Sequence, residues 1–92
     1  MLSAQLIEQV KRDFPTEHQS DVINWLENEC GRNLPLCKDA DEQHLNRIRT
    51  AILRLSNGDV EKFLYWLEVA KLDWRDVLSE QAFDDRLKKA TA

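Results

Sequence analysis

Apolar side chains along this sequence return at intervals of three and four, and no segment alternates with period two. That rhythm marks helices carrying one buried stripe, whereas a half-buried strand would place an apolar residue at every second position. Leu6, Ile7, Val10 and Phe14 define such a stripe near the start. Val22, Ile23, Leu26 and Cys30 repeat it, and Leu45, Ile48, Ala51, Ile52 and Leu55 repeat it again. The expectation is an all-α fold, a small single-domain bundle of four to five helices over residues 1–92.

Capping residues and helix breakers divide the chain. The spacing predicts helices over about 3–13, 16–30, 40–56, 60–72 and 74–89. Ser3 reads as an N-cap, and Pro15 ends the first helix because it disfavours helical geometry at Phe14. Thr16 with Gln19, and Asp39 with Glu42, have the spacing of capping boxes. Gly31 reads as a left-handed helix stop, and Asn57-Gly58 followed by Asp59 reads as a tight corner between two helices. Leu34 and Leu36, in the connection "RNLPLCK", are expected to fold onto the core. Asp84 with Lys88 and Asp85 with Lys89 are spaced for exposed ion pairs on the last helix.

The stretch "KFLYWLEVAKLDWRDVL", Lys62 to Leu78, concentrates aromatic surface in a chain that is otherwise mostly polar. Phe63, Leu64 and Leu67 continue the core stripe, with Val60 before them. Tyr65, Trp66, Val69 and Leu72 cover much of the remaining circumference, and an element apolar on most sides is generally surrounded. Either further helices cover that side or another molecule does. Trp74 opens the fifth helix after Asp73, with Arg75 beside it. Tyr and Trp presented at a surface, with Arg adjacent, dominate binding energy in many interfaces. Tyr65, Trp66, Trp74 and Arg75 are therefore the candidate partner-binding residues.

Charge narrows the partner. The chain carries −4 at neutral pH with a pI near 5.1, which opposes a phosphate backbone at long range. Residues 1–46 hold four Lys or Arg against nine Asp or Glu, while residues 47–92 hold nine against eight. The acidic half suits a basic protein partner. Leu45 to Leu67 reads as helix, short turn, helix, the outline of a DNA-binding motif. Its second helix, however, carries Asp59, Glu61 and Glu68 where base- and phosphate-reading side chains would be needed. Nucleic acid is not expected as a partner.

Other chemistries find little footing. Both glycines are accounted for by helix ends, leaving none for a phosphate-cradling loop. His18, Cys30, Cys37 and His44 match no compact zinc spacing, so no metal is expected. Cys30 and Cys37 read as reduced thiols, with a disulfide between them geometrically open. Ser3, Ser20, Ser56 and Ser79 sit near helix ends, where capping explains them, and no strand–turn–helix elbow surrounds any of them. No enzymatic centre and no cofactor are expected. The apolar residues at the start are interrupted by Gln5, Glu8 and Gln9, and no run approaches the roughly 18 residues of a membrane span. The expected setting is cytoplasmic, without membrane contact.

Two resemblances bear on the C-terminal half. "ILRLSNGDVEKFLYWLEVA" is locally similar to the last two helices of ubiquitin-associated domains, in the Asn-Gly corner, the Val-Glu start and the Trp-Leu near the end. That likeness covers Ile52 to Leu67. The longer "RIRTAILRLSNGDVEKFLYWLEVAKLDWRDVL", Arg47 to Leu78, resembles small uncharacterised bacterial proteins. It shares an Ala-x-Leu helix, a Leu-Ser-x-Gly-Asp corner and an Ala-x-x-Asp-aromatic-Arg-Asp ending. The resemblance implies a bacterial cytoplasmic protein of packed helices. The expectation for function is a small non-enzymatic interaction module with an unknown protein partner or a homodimer. The alternative is a small-molecule-binding or enzymatic bundle with an aromatic-lined pocket.

Overall fold

A computed structural model describes residues 2–91, with side chains described through residue 89. Among the described residues the chain is all-helical: α1 (Ala4–Asp13), α2 (Thr16–Glu29), α3 (Glu42–Ser56) and α4 (Val60–Thr91). α3 and α4 form the main pair. α1 rests on α2 and α3, and α2 closes against α4. The stripes converge on one core that contains Leu6, Val10, Val22, Leu26, Leu45, Ile48, Ile52, Phe63 and Leu67. Phe63 is its aromatic centre, edge-on to Phe14 at 6.0 Å and stacked on Trp25 at 5.9 Å. Such ring pairs add to the burial of their area.

Local chemistry sets the ends. Ser3 caps α1 through the Leu6 N–H, and Asp59 accepts the N–H groups of Glu61 and Lys62 at the start of α4. Two expected boxes are replaced. Pro15 occupies the N-cap of α2, and Gln19 reaches back to the carbonyls of Phe14 and Lys11, not to Thr16. α3 starts at Glu42 because Asp41, not Asp39, takes the His44 N–H at 2.8 Å. A turn bond from Ala40 N–H to the Cys37 carbonyl carries the chain past Asp39.

Gly31 does not hold a left-handed conformation. Of the two glycines only Gly58 has a positive φ, at 80°. A Cβ on Gly31 would meet Arg49 Nη2 at 3.3 Å, so this glycine makes room for a side chain. Arg49 is buried, and its Nε donates to the Cys30 carbonyl at 2.7 Å. The guanidinium also reaches Asn46 at 3.0 Å and Glu42 at 3.3 Å. It closes the C-terminus of α2, where orphan carbonyls need partners. No buried side-chain nitrogen or oxygen among the described residues lacks a hydrogen-bond partner.

Gly58 faces a harder constraint. With Asn57 left-handed before it, it turns the chain from α3 to α4 directly over the end of α1. A Cβ there would stand 2.2 Å from the Asp13 carbonyl oxygen, an immovable backbone atom. Gly58→Ala should therefore lower stability by about 2 kcal/mol or more, whereas Gly31→Ala should cost clearly less, because a flexible arginine tip can shift. Arg49→Leu should cost about 2–3 kcal/mol by stranding the Cys30 carbonyl. Urea unfolding of the three variants tests this ranking, and a Gly58→Ala midpoint equal to wild type would contradict it.

Candidate functional site

The candidate residues all lie on α4, which is not one uniform helix. Asp73 is extended (φ −160°, ψ 102°) and interrupts it between residues 60–72 and 74–91, here the proximal and distal halves. The Asp73 side chain restarts the helix by accepting the Arg75 N–H at 3.0 Å. It also takes the Arg75 guanidinium as a fork, with both oxygens at 2.9 Å from their nitrogens. Hydrogen bonds from the Arg75 side chain, then from its backbone, hold the Asp73 carboxyl below its ordinary range. Arg75 is exposed, yet its guanidinium already has a partner in its own turn.

Trp74 is half-buried and faces inward. Its indole Nε1 donates to the Pro35 carbonyl at 2.6 Å, and the His44 ring meets it edge to face at 4.6 Å. It fastens the connection between α2 and α3 onto α4. Tyr65 and Trp66 are elsewhere, in mutual edge-to-face contact at 5.0 Å. Trp66 is half-buried against the core, while Tyr65 is 61% exposed. The four candidates therefore divide into a presented pair, Tyr65 on Trp66, and a fastening pair, Trp74 and Arg75.

The outer side of proximal α4 is open rather than surrounded. Leu64 is exposed, contrary to its expected core role, and Leu72 is 84% exposed. At helical spacing Leu64, Tyr65 and Leu72 share one side with Glu61 and Glu68. Leu36, expected on the core, is 85% exposed and sits at φ 63°, a left-handed conformation that a branched leucine rarely adopts. It follows Pro35, so Leu36 and Leu72 both lie within two residues of the Trp74–Pro35 hydrogen bond. Leu34 is the leucine of that connection that reaches the core. Leu36 is the surface residue sequence reasoning missed, since no pattern distinguishes the two leucines flanking Pro35.

The side of α4 next to α2 is acidic. α2 carries Glu17, Asp21, Glu27 and Glu29 and no lysine or arginine. Lys71 reaches Glu29 at 2.5 Å and Glu68 at 3.3 Å; the hydrogen bond to Glu29 is the main cause that raises its pKa. Glu27 accepts the Leu2 N–H, while Glu17 and Asp21 stay exposed.

The remaining reactive groups are closed in. Cys30 and Cys37 are both free thiols and fully buried. Burial pushes Cys30 up to about 12 and raises Cys37 as well, so neither offers a thiolate. Among the described residues no group of three or more His, Cys, Asp or Glu side chains gathers as a metal site. A groove of about 700 Å³ lies between α1, α3 and distal α4. Its walls hold the carboxamides of Gln5, Gln43, Asn46 and Gln81 with Arg47 and Arg54, and no aromatic ring. Among the described residues, no helix is long and apolar enough to cross a membrane. Comparison with known proteins returned no matching family, no matching curated protein and no matching solved structure.

Two measurements probe the fastening pair. Trp74→Phe keeps most of the packing but removes the donor to Pro35, so it should cost about 1 kcal/mol and speed amide exchange selectively over residues 32–40. Uniform exchange across the chain would contradict the fastening role. Because the Asp73 pKa is lowered, its stabilisation is complete above the ordinary value of 3.8 and is lost as pH falls through the folded value. Trp fluorescence titrated into acid should show this component. Asp73→Asn, which keeps a cap but not the charge, should remove it.

Proposed function

We propose that this protein is a small non-enzymatic interaction module whose outward proximal α4 face docks a basic, amphipathic segment of another protein. The observation that carries this reading is the exposure of Tyr65 and Leu72 on one side of α4, with Glu61 and Glu68 set among them. Trp66 backs Tyr65 and holds its ring at the surface. A leucine in a left-handed conformation, Leu36, stands in water near the same end. Neither packing nor backbone preference explains a leucine there, and docking against an apolar side chain does.

Charge selects the partner. Glu61, Glu68 and the exposed carboxylates of α2 favour lysine and arginine on the incoming segment and repel nucleic acid and anionic membranes. The reading needs no cofactor. Each group with a shifted pKa has a structural cause, either burial of a thiol or an ion pair within the fold. The C-terminal resemblance to small bacterial proteins supports a bacterial cytoplasmic setting.

A display library of basic amphipathic peptides tests the proposal. Peptides selected on the wild type should bind Tyr65→Ala and Leu72→Ala about tenfold more weakly and lose affinity with salt. Equal binding to wild type and both variants would refute it. The polar groove favours a second reading, a site for a small organic anion held by Arg47 and the surrounding carboxamides. Weaker citrate binding by Arg47→Ala than by wild type, in isothermal titration, would support that alternative.

A further inference from the structure

In a chain with 17 Asp or Glu against 13 Lys or Arg, the groove between α1, α3 and distal α4 is lined by two arginines and no carboxylate. Both arginines stand on α3. Arg47 and Arg54 are seven residues apart, so they share one stripe of the helix, with Cα atoms about 10 Å apart along its axis. The lining between them is mostly small and apolar. Ala51 stands four residues after Arg47 and three before Arg54, and Leu78 and Ala82 come from α4, one turn apart. Thr50 adds one hydroxyl.

Neither arginine is firmly engaged within the fold. Arg47 is exposed, and its guanidinium makes no ion pair or hydrogen bond among the described residues. Arg54 approaches Asp85 at 3.8 Å with both side chains about half exposed, a contact worth little. Asp85 keeps the Gln81 carboxamide if Arg54 turns away. Arg54, in the last turn of α3, suits the helix dipole, whereas Arg47 in mid-helix gains nothing from it. Asn46 adds a donor to the groove. An arginine can only donate, so Asn46 must give its oxygen to Arg49, at 3.0 Å, and its amide hydrogens remain available.

We infer that the groove binds a small dicarboxylate, with one carboxylate on Arg47, the other on Arg54, and the aliphatic spacer over Ala51, Leu78 and Ala82. This rests on the second reading above, the groove as an organic-anion site, and adds to it a second cation and a spacing. Each carboxylate is matched by a planar guanidinium fork. Once one end is held, the other is tethered beside its own arginine, and its effective concentration there is high. A compact anion such as phosphate engages one end or pulls two like charges together. Two carboxylates kept apart by methylenes satisfy both cations and cover the apolar lining between them.

Amide chemical shifts of the full chain, titrated at constant ionic strength with adipate and with hexanoate, test this. Adipate should move the signals of residues 43–54 and 78–82. Its dissociation constant should be on the order of 1 mM, as suits about ten non-hydrogen atoms in an open groove. Hexanoate, which lacks one carboxylate, should bind about tenfold more weakly. Arg47→Gln and Arg54→Gln should each weaken adipate about tenfold, to the level of hexanoate, with an unchanged circular dichroism spectrum. Lys62→Gln, which does not line the groove, should bind adipate as wild type does. Adipate held no more tightly than hexanoate, or held equally well by Arg54→Gln, would overturn the two-point inference. If citrate still bound in that case, and more weakly to Arg47→Ala, the groove would stand as a one-point anion site. Binding of neither adipate nor citrate would overturn both.

Discussion

A buried guanidinium is tolerated only where its hydrogens are met, because stripping water from a cation costs several kcal/mol. Arg49 meets that condition by taking the Cys30 carbonyl, Asn46 and Glu42 together. One side chain of α3 thereby closes the end of α2 and fixes the point where the connection to α3 leaves it. Gly31 lacks a Cβ where the guanidinium passes, so the glycine and the arginine form one device. Trp74 pins the same connection further along, through Pro35. Between these two bonds the backbone from Cys30 to Pro35 is held to α3 at one end and α4 at the other. The exposure of Leu36 follows: the chain there is positioned by its neighbours' polar bonds and not by the leucine's own burial.

Asp73 plays a related part within α4. A continuous helix of 32 residues would extend about 48 Å, roughly twice the length of α3. The extended residue lets the distal half change course, and Asp85 and Gln81 then lie alongside α3. The bidentate Arg75 is best understood in this light. It screens and orients the capping carboxylate, which is why an arginine next to a tryptophan here contributes to the bend and not to an aromatic patch.

Much of the helical architecture is legible because it rests on local patterning. The stripes of α1 and α3, the Ser3 cap and the Asn57-Gly58-Asp59 corner each follow from residues within one or two turns. What escaped depends on partners far along the chain. Arg49 stands four residues after Leu45 and three before Ile52, squarely in a buried stripe, and that position was the available signal. An isolated arginine nevertheless reads as a solvated cation until the Cys30 carbonyl, 19 residues earlier, is placed beside it. The capping role of Asp41 over Asp39 turns on a hydrogen bond within the loop. In the aromatic stretch, composition identified the right helix, but Tyr65, Trp66 and Trp74 were separated only by which neighbours their rings found.

The outward apolar residues have a common origin in this geometry. α3 and, more lightly, α2 pack on α4, and among the described residues no further helix covers its outward residues such as Tyr65 and Leu72. A domain of this size has more surface per residue than a larger one and little capacity to absorb extra aromatic side chains. Tyr65 and Leu72 on the proximal half, and Phe83 and Leu87 on the distal half, could each be polar without loss to the core, since none contributes to it. Each also sits among charges that keep its face hydrated in the free protein. A face built that way tolerates water and still rewards its exclusion.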